Sequence, residues 1–179
     1  MLLLNDNSEE TNNKIMKRNI LFKTLVDILF IFQAIGVIAL FFVVPFGKSR
    51  ISIMDIPEGE MTWIYWLVLL ISLIGYVLFV MGLYHLRKMA RHLLSKKYFN
   101  LVVVNHLKKS GNYFVATGIF AFVTFLSWWI MNLTVGNVSF YDSDVMISLF
   151  MIMIGLFFII QSEVILNAKN FKEDSELTI

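Results

Sequence analysis

Cysteine is absent from the 179 residues. That excludes structural disulfides, thiolate metal sites and thiol redox relays, including the quinone-linked disulfide chemistry of some four-helix membrane proteins. Charge is scarce too. Lys, Arg, Asp and Glu make up 16% of the chain, against about 25% in an ordinary soluble domain. The most telling absence is local. From Arg87 to Asn112 there is no acidic residue, while Arg87, Lys88, Arg91, Lys96, Lys97, Lys108 and Lys109 are all basic.

What fills the chain instead is hydrophobic sequence, 58% of the total, gathered into runs of about 20 residues or more, the length that crosses a bilayer as a helix. The pattern predicts an all-α membrane protein: four transmembrane helices in an up-down bundle, at about 20–46, 61–86, 113–133 and 145–168. A tail of about 1–19 precedes them and one of about 169–179 follows. The first run is too long for a secretory leader, and Val43-Val44-Pro45-Phe46 offers no small-residue cleavage site. Pro45 and Gly47 end it.

Charge sets the orientation. Thirteen of the fifteen Lys and Arg fall between Met1 and Lys23, in the Arg87–Asn112 segment or in the last tail, leaving Lys48 and Arg50 on the other side. The positive-inside rule then predicts both termini in the cytoplasm, and the four tryptophans (Trp63, Trp66, Trp128, Trp129) form an aromatic belt at the outer ends. Two alternating stretches in the outer connections, 50–55 and 137–141, are candidates for a short ribbon.

Small residues recur at seven-residue intervals: Ser148, Gly155 and Ser162; Gly75 and Gly82, with Ser72; Gly111 and Gly118. Lipid gives no hydrophobic drive between helices, so such stripes mark seams where backbones approach closely. Packing within one bundle is the expected use, and a homodimer is the alternative.

Two carboxylates fall within spans. Asp27 lies four residues beyond Lys23, and Glu163 six before Lys169. That puts them roughly 6 and 9 Å inside the basic end. His85 and Arg87 reach the same level, and Asn167 is one turn from Glu163. Asp27, Glu163, Arg87, His85 and Asn167 thus form a candidate intramembrane ion-pair site, read first as a structural clamp and second as a proton- or cation-coupled pocket. Gln33 and Gln161 are further polar positions, Gln161 about 200° around the helix from Glu163. His85, His92 and His106 are too few for a metal centre without cysteine, and no facing histidines suit a haem, so no cofactor is expected.

Beyond Arg91, Phe99, Leu101, Val102, Val103, Val104 and Leu107 form an apolar stripe bordered by Lys96, Lys97, Lys108 and Lys109. This is the make-up of an amphipathic segment between helices two and three, lying on an anionic inner leaflet or held out to a partner. The acidic run Glu173-Asp174-Ser175-Glu176 is a candidate to fold back onto it.

Phe99, Leu107 and Gly111 fit a Phe-x7-Leu-x3-Gly pattern, and the tail reads Phe171-Lys172-Glu173-Asp174-Ser175-Glu176-Leu177-Thr178-Ile179. With four spans, this resembles the bacterial membrane proteins grouped as domain of unknown function 2975. Tyr98 and Val103 stand where many relatives have Pro and Asn. The resemblance implies a bacterial inner-membrane location and no enzyme activity. Such proteins are often encoded beside a small helix-turn-helix regulator, which implies a cytosolic protein partner for Lys96, Lys97, Phe99, Leu107, Lys108, Lys109 and Gly111, and for the tail. Direct nucleic-acid binding is not expected, because no recognition fold fits. The alternative function is a small oligomeric transporter or channel using Asp27 and Glu163.

Overall fold

The computed structural model describes residues 2–46, 63–94, 100–133 and 143–177, and every described residue except Asn100 is helical. The helices are α1 (Leu2–Phe46), α2 (Trp63–Leu94), α3 (Leu101–Leu133) and α4 (Ser143–Leu177). All four are long and apolar enough to cross a membrane. The ribbon expected in the outer connections lies outside the described residues.

The helices exceed what a span requires. At 1.5 Å per residue, α2 with its 32 residues is about 48 Å long, whereas the hydrocarbon core of a bilayer is about 30 Å thick. The excess of α2 and α3 is at the basic end. There α2 carries Arg91 and His92 in its last turn, where cations favour the carbonyl end of a helix. Asn100 starts α3: its Oδ1 accepts a hydrogen bond from the Val102 amide at 3.1 Å, and its carbonyl accepts from Val103 at 2.9 Å. That is an N-cap, which satisfies amide groups the first turn cannot pair internally.

Consecutive helices are antiparallel neighbours. Asp27 meets Arg87 and Gln33 meets Tyr76 across α1 and α2. Gly75 meets Thr117 and Gly82 meets Ser110 across α2 and α3. Gly111 faces Gly155 and Gly118 faces Ser148 across α3 and α4. Among the described residues these three pairs are the helix contacts, so α1 and α4 lie at opposite edges of the array.

The seven-residue stripes make these seams. A Cβ placed on Gly111 would stand 2.6 Å from the Gly155 carbonyl oxygen, and one on Gly118 would stand 2.8 Å from that of Ser148. On α2, Gly82 lies under Phe114 and its carbonyl accepts the Ser110 hydroxyl at 2.9 Å. The stripes on α2, α3 and α4 are thus occupied within one chain. Ser72 departs from its expected place and faces outward.

The main buried cluster sits toward the basic end: Leu83, Leu86 and Met89 of α2 pack with Val103, Leu107 and Phe114 of α3, and Val26 of α1 joins from the side. Where water reaches this end, burying a Val or Leu side chain contributes about 1.5–3 kcal/mol. This packing corrects the expectation of a separate surface-lying segment. Val103, Val104 and Leu107 are turned into the α2–α3 interface, so the stretch from Leu101 is the first part of α3 itself.

Candidate functional site

The basic end holds two polar constellations, one on each flank of α2. The first joins α2 to α1. Asp27 Oδ1 accepts a hydrogen bond from Arg87 Nε (2.5 Å), its Oδ2 lies 3.0 Å from Lys23 Nζ, and Arg91 Nη2 stands 3.9 Å from Oδ1. Helix geometry explains the convergence. Lys23 and Asp27 are four apart on α1, and Arg87 and Arg91 are four apart on α2, so each pair shares a face. The Arg87 guanidinium also lies over the Phe30 ring, 4.9 Å from its centroid, and Lys88 Nζ lies 4.6 Å from that of Tyr84. Two aromatic faces thus lie beneath two cations.

The second constellation joins α2 to α3. His85 Nδ1 and His106 Nδ1 are 3.1 Å apart, a distance at which one ring donates a hydrogen bond and the other accepts. Tyr113 stacks on His85, and His92 stacks on His106. Among the described residues no group of three or more His, Asp or Glu is placed to hold a metal ion.

Deeper in the array Tyr76 donates its hydroxyl hydrogen to Gln33, with 2.7 Å to Oε1, and Gly36 leaves the space that the Tyr76 hydroxyl occupies. A side-chain hydrogen bond between membrane helices contributes about 0.6 kcal/mol on average.

The expected ion-pair site is therefore divided. Asp27 and Arg87 come together. His85 turns away from Asp27 to meet His106. Glu163 and Asn167 are exposed on α4 and do not join it, because α4 packs on α3 and has no contact with α1. The depth reckoning from the sequence puts both carboxylates at one level and so suggests a meeting, but depth carries no information about which helices are neighbours. Three participants had weak signals. Arg91 and His106 sat in the basic segment without a designated partner, and Tyr76 looked like ordinary span sequence.

The expected partner surface also divides. Lys108 and Lys109 are exposed, whereas Leu107 is buried and Gly111 is closed off beneath Gly155 and Ile159. Both are pulled inside by the continuation of α3. Lys96, Lys97 and Phe99 lie outside the described residues, as do Thr178 and Ile179. The tail does not fold back: α4 continues through it to Leu177, Lys172, Glu173 and Asp174 are exposed, and Glu173 pairs with Lys169 in the same helix at 3.0 Å.

Four apolar helices with charge clustered at one end define a multi-pass helical membrane protein. The model of the family described as protein of unknown function (DUF2975) matches residues 51–179, and the chain belongs to that family. No curated protein and no solved structure matches the chain.

Proposed function

We propose that this is a non-catalytic protein of the bacterial inner membrane, with both termini in the cytoplasm, that holds its basic end out to a cytosolic protein. The observation that carries the reading is the extension of α2 and α3 beyond the length of a span as a packed pair. It makes a stiff platform rather than a loose loop. On it Leu101 and Val102 remain 48% and 38% exposed beside the exposed Lys108 and Lys109, and Phe171 on α4 is 75% exposed. Apolar side chains bordered by bases suit a protein contact rather than the bilayer interior. The orientation is supported by the charge count and by the place of Trp63 and Trp128–Trp129, at the end opposite the bases.

The partner this reading favours is a small helix-turn-helix regulator of the kind often encoded beside proteins of this family. Co-purification from mild detergent tests it. The tagged neighbouring regulator should be recovered with the wild type, and recovery should fall to background with Lys108→Glu plus Lys109→Glu. Absence of recovery with the wild type, or equal recovery with the variant, would count against the reading. The transport alternative is a small oligomer, which would have to bring Asp27 and Glu163 together between copies, since among the described residues α1 and α4 make no contact.

A further inference from the structure

We propose that the cluster of bases where α1 meets α2 at the basic end binds the phosphate of an anionic lipid headgroup. The proposal is independent of the partner reading above. It begins from a charge imbalance. Lys23, Arg87 and Arg91 converge on Asp27, and the described residues bring them one carboxylate for three cations. Lys88, held against Tyr84, adds a fourth positive charge to the same flank. Ionisable groups in or at the edge of a span are costly unless matched by opposite charge. Glu163, the other carboxylate at this depth, is on α4 and out of contact.

The geometry selects an anion rather than a cation. Asp27 is the inner member, with its side chain 16% exposed, while Lys23, Arg87 and Arg91 are 34%, 25% and 53% exposed. An approaching ligand meets the bases before the carboxylate. Asp27 takes Arg87 through Nε, and the Nη groups of the guanidinium provide the paired donors that suit phosphate oxygens.

The surroundings select a lipid. Deeper on this flank, Ile31 and Ile38 follow Asp27 by four and eleven residues on α1, and Val77 precedes Tyr84 by seven on α2. All three are exposed apolar side chains. A headgroup seated on the bases would lay its acyl chains along them, the arrangement by which basic clefts between membrane helices hold anionic lipids. Phe30 and Tyr84, with ring centroids 6.1 Å apart, line the passage between the two regions.

The experiment uses the full chain purified in mild detergent, mixed with phosphatidylglycerol or phosphatidylcholine and weighed as intact complexes by native mass spectrometry. Wild type should retain phosphatidylglycerol in preference to phosphatidylcholine. At about 1 kcal/mol per base near the headgroups, Lys23→Gln or Arg91→Gln should weaken retention about five-fold, and the double variant about 30-fold. Lys14→Gln plus Lys169→Gln removes equal charge elsewhere and should leave retention unchanged. Circular dichroism melting verifies that each variant is folded, and the single Arg91→Gln change, at the most exposed base, serves if the double variant is not. Equal retention by wild type and Arg91→Gln, or equal loss in the Lys14/Lys169 variant, would overturn the proposal. So would displacement of the bound lipid by millimolar inorganic phosphate, which would reassign the site to a soluble phosphate.

Discussion

Asp27 and Glu163 look alike in the sequence: each is a lone carboxylate within a span, near the basic end. Their surroundings differ entirely. Asp27 holds Arg87 and Lys23 across the α1–α2 seam, whereas Glu163 faces outward from α4. Asp27→Asn should therefore lower the stability of the folded chain by about 1–2 kcal/mol, the worth of a partly screened charged hydrogen bond. Glu163→Gln should stay within about 0.5 kcal/mol of wild type, as outward-facing substitutions do. Thermal melting in detergent compares them. The histidine pair gives a pH-dependent outcome of known sign. One shared proton satisfies the 3.1 Å contact, and so does a single added charge. A proton on both rings leaves two donors face to face, with Lys88 and His92 of α2 and Lys109 of α3 close by, and Tyr113 stacked against His85. Histidines change charge in the range of about pH 8 to 5. The contact should contribute at the alkaline end of that range and be lost toward the acid end. Melting temperature should fall on acidification in wild type and fall less in His85→Phe. An equal fall in both would refute the assignment. Little of this was legible beforehand, because His85 and His106 lie on different helices and no spacing along the chain pairs them.

At the scale of elements, the apolar runs revealed all four helices, but their ends were legible only where the composition changed sharply. The basic residues after Leu86 mark where the apolar run ends, which bounds the span without bounding the helix. A helix does not stop when it leaves the bilayer. It stops when its capping and packing fail, and α2 continues through Met89 and Ala90 because both are buried. The start of α3 did have a local signal, Asn100 immediately before an apolar run. Asn100→Ala should cost about 1 kcal/mol by loss of the cap. The seams were easier to read, because a seven-residue stripe of small residues has few other uses in a membrane helix. Gly155→Ala tests them most sharply. Its new Cβ would stand 2.6 Å from the Val115 amide nitrogen and 2.7 Å from the Gly111 carbonyl oxygen. Backbone atoms cannot rotate away as a side chain can, so α3 and α4 must separate at a cost of about 1–3 kcal/mol. Ser72→Ala, on an outward position, should be within about 0.5 kcal/mol of wild type.

For the whole molecule, the four apolar runs were legible in the sequence, and the contacts supplied the order of packing. The helices lie beside their neighbours in the chain, so the two ends of the sequence occupy separate edges and the middle two helices hold most of the interior. This arrangement makes α2 and α3 the packed pair that can carry an outside contact, and the proposed orientation would hold that pair out to the cytosol. The absence of native cysteine makes orientation directly readable with one introduced thiol. A membrane-impermeant maleimide should label Trp63→Cys in spheroplasts, and Lys108→Cys only after the membrane is opened. The claim that unites the account is that the α3 start is a contact surface for the accompanying regulator. The most direct measurement is photo-cross-linking in living cells from a benzophenone amino acid at Asn105, an exposed position beside Lys108 and Lys109. The account predicts a covalent adduct with the tagged regulator, absent when the same probe replaces Phe157 on the exposed face of α4. Adducts from both positions, or none from Asn105 in cells that express both proteins, would contradict it.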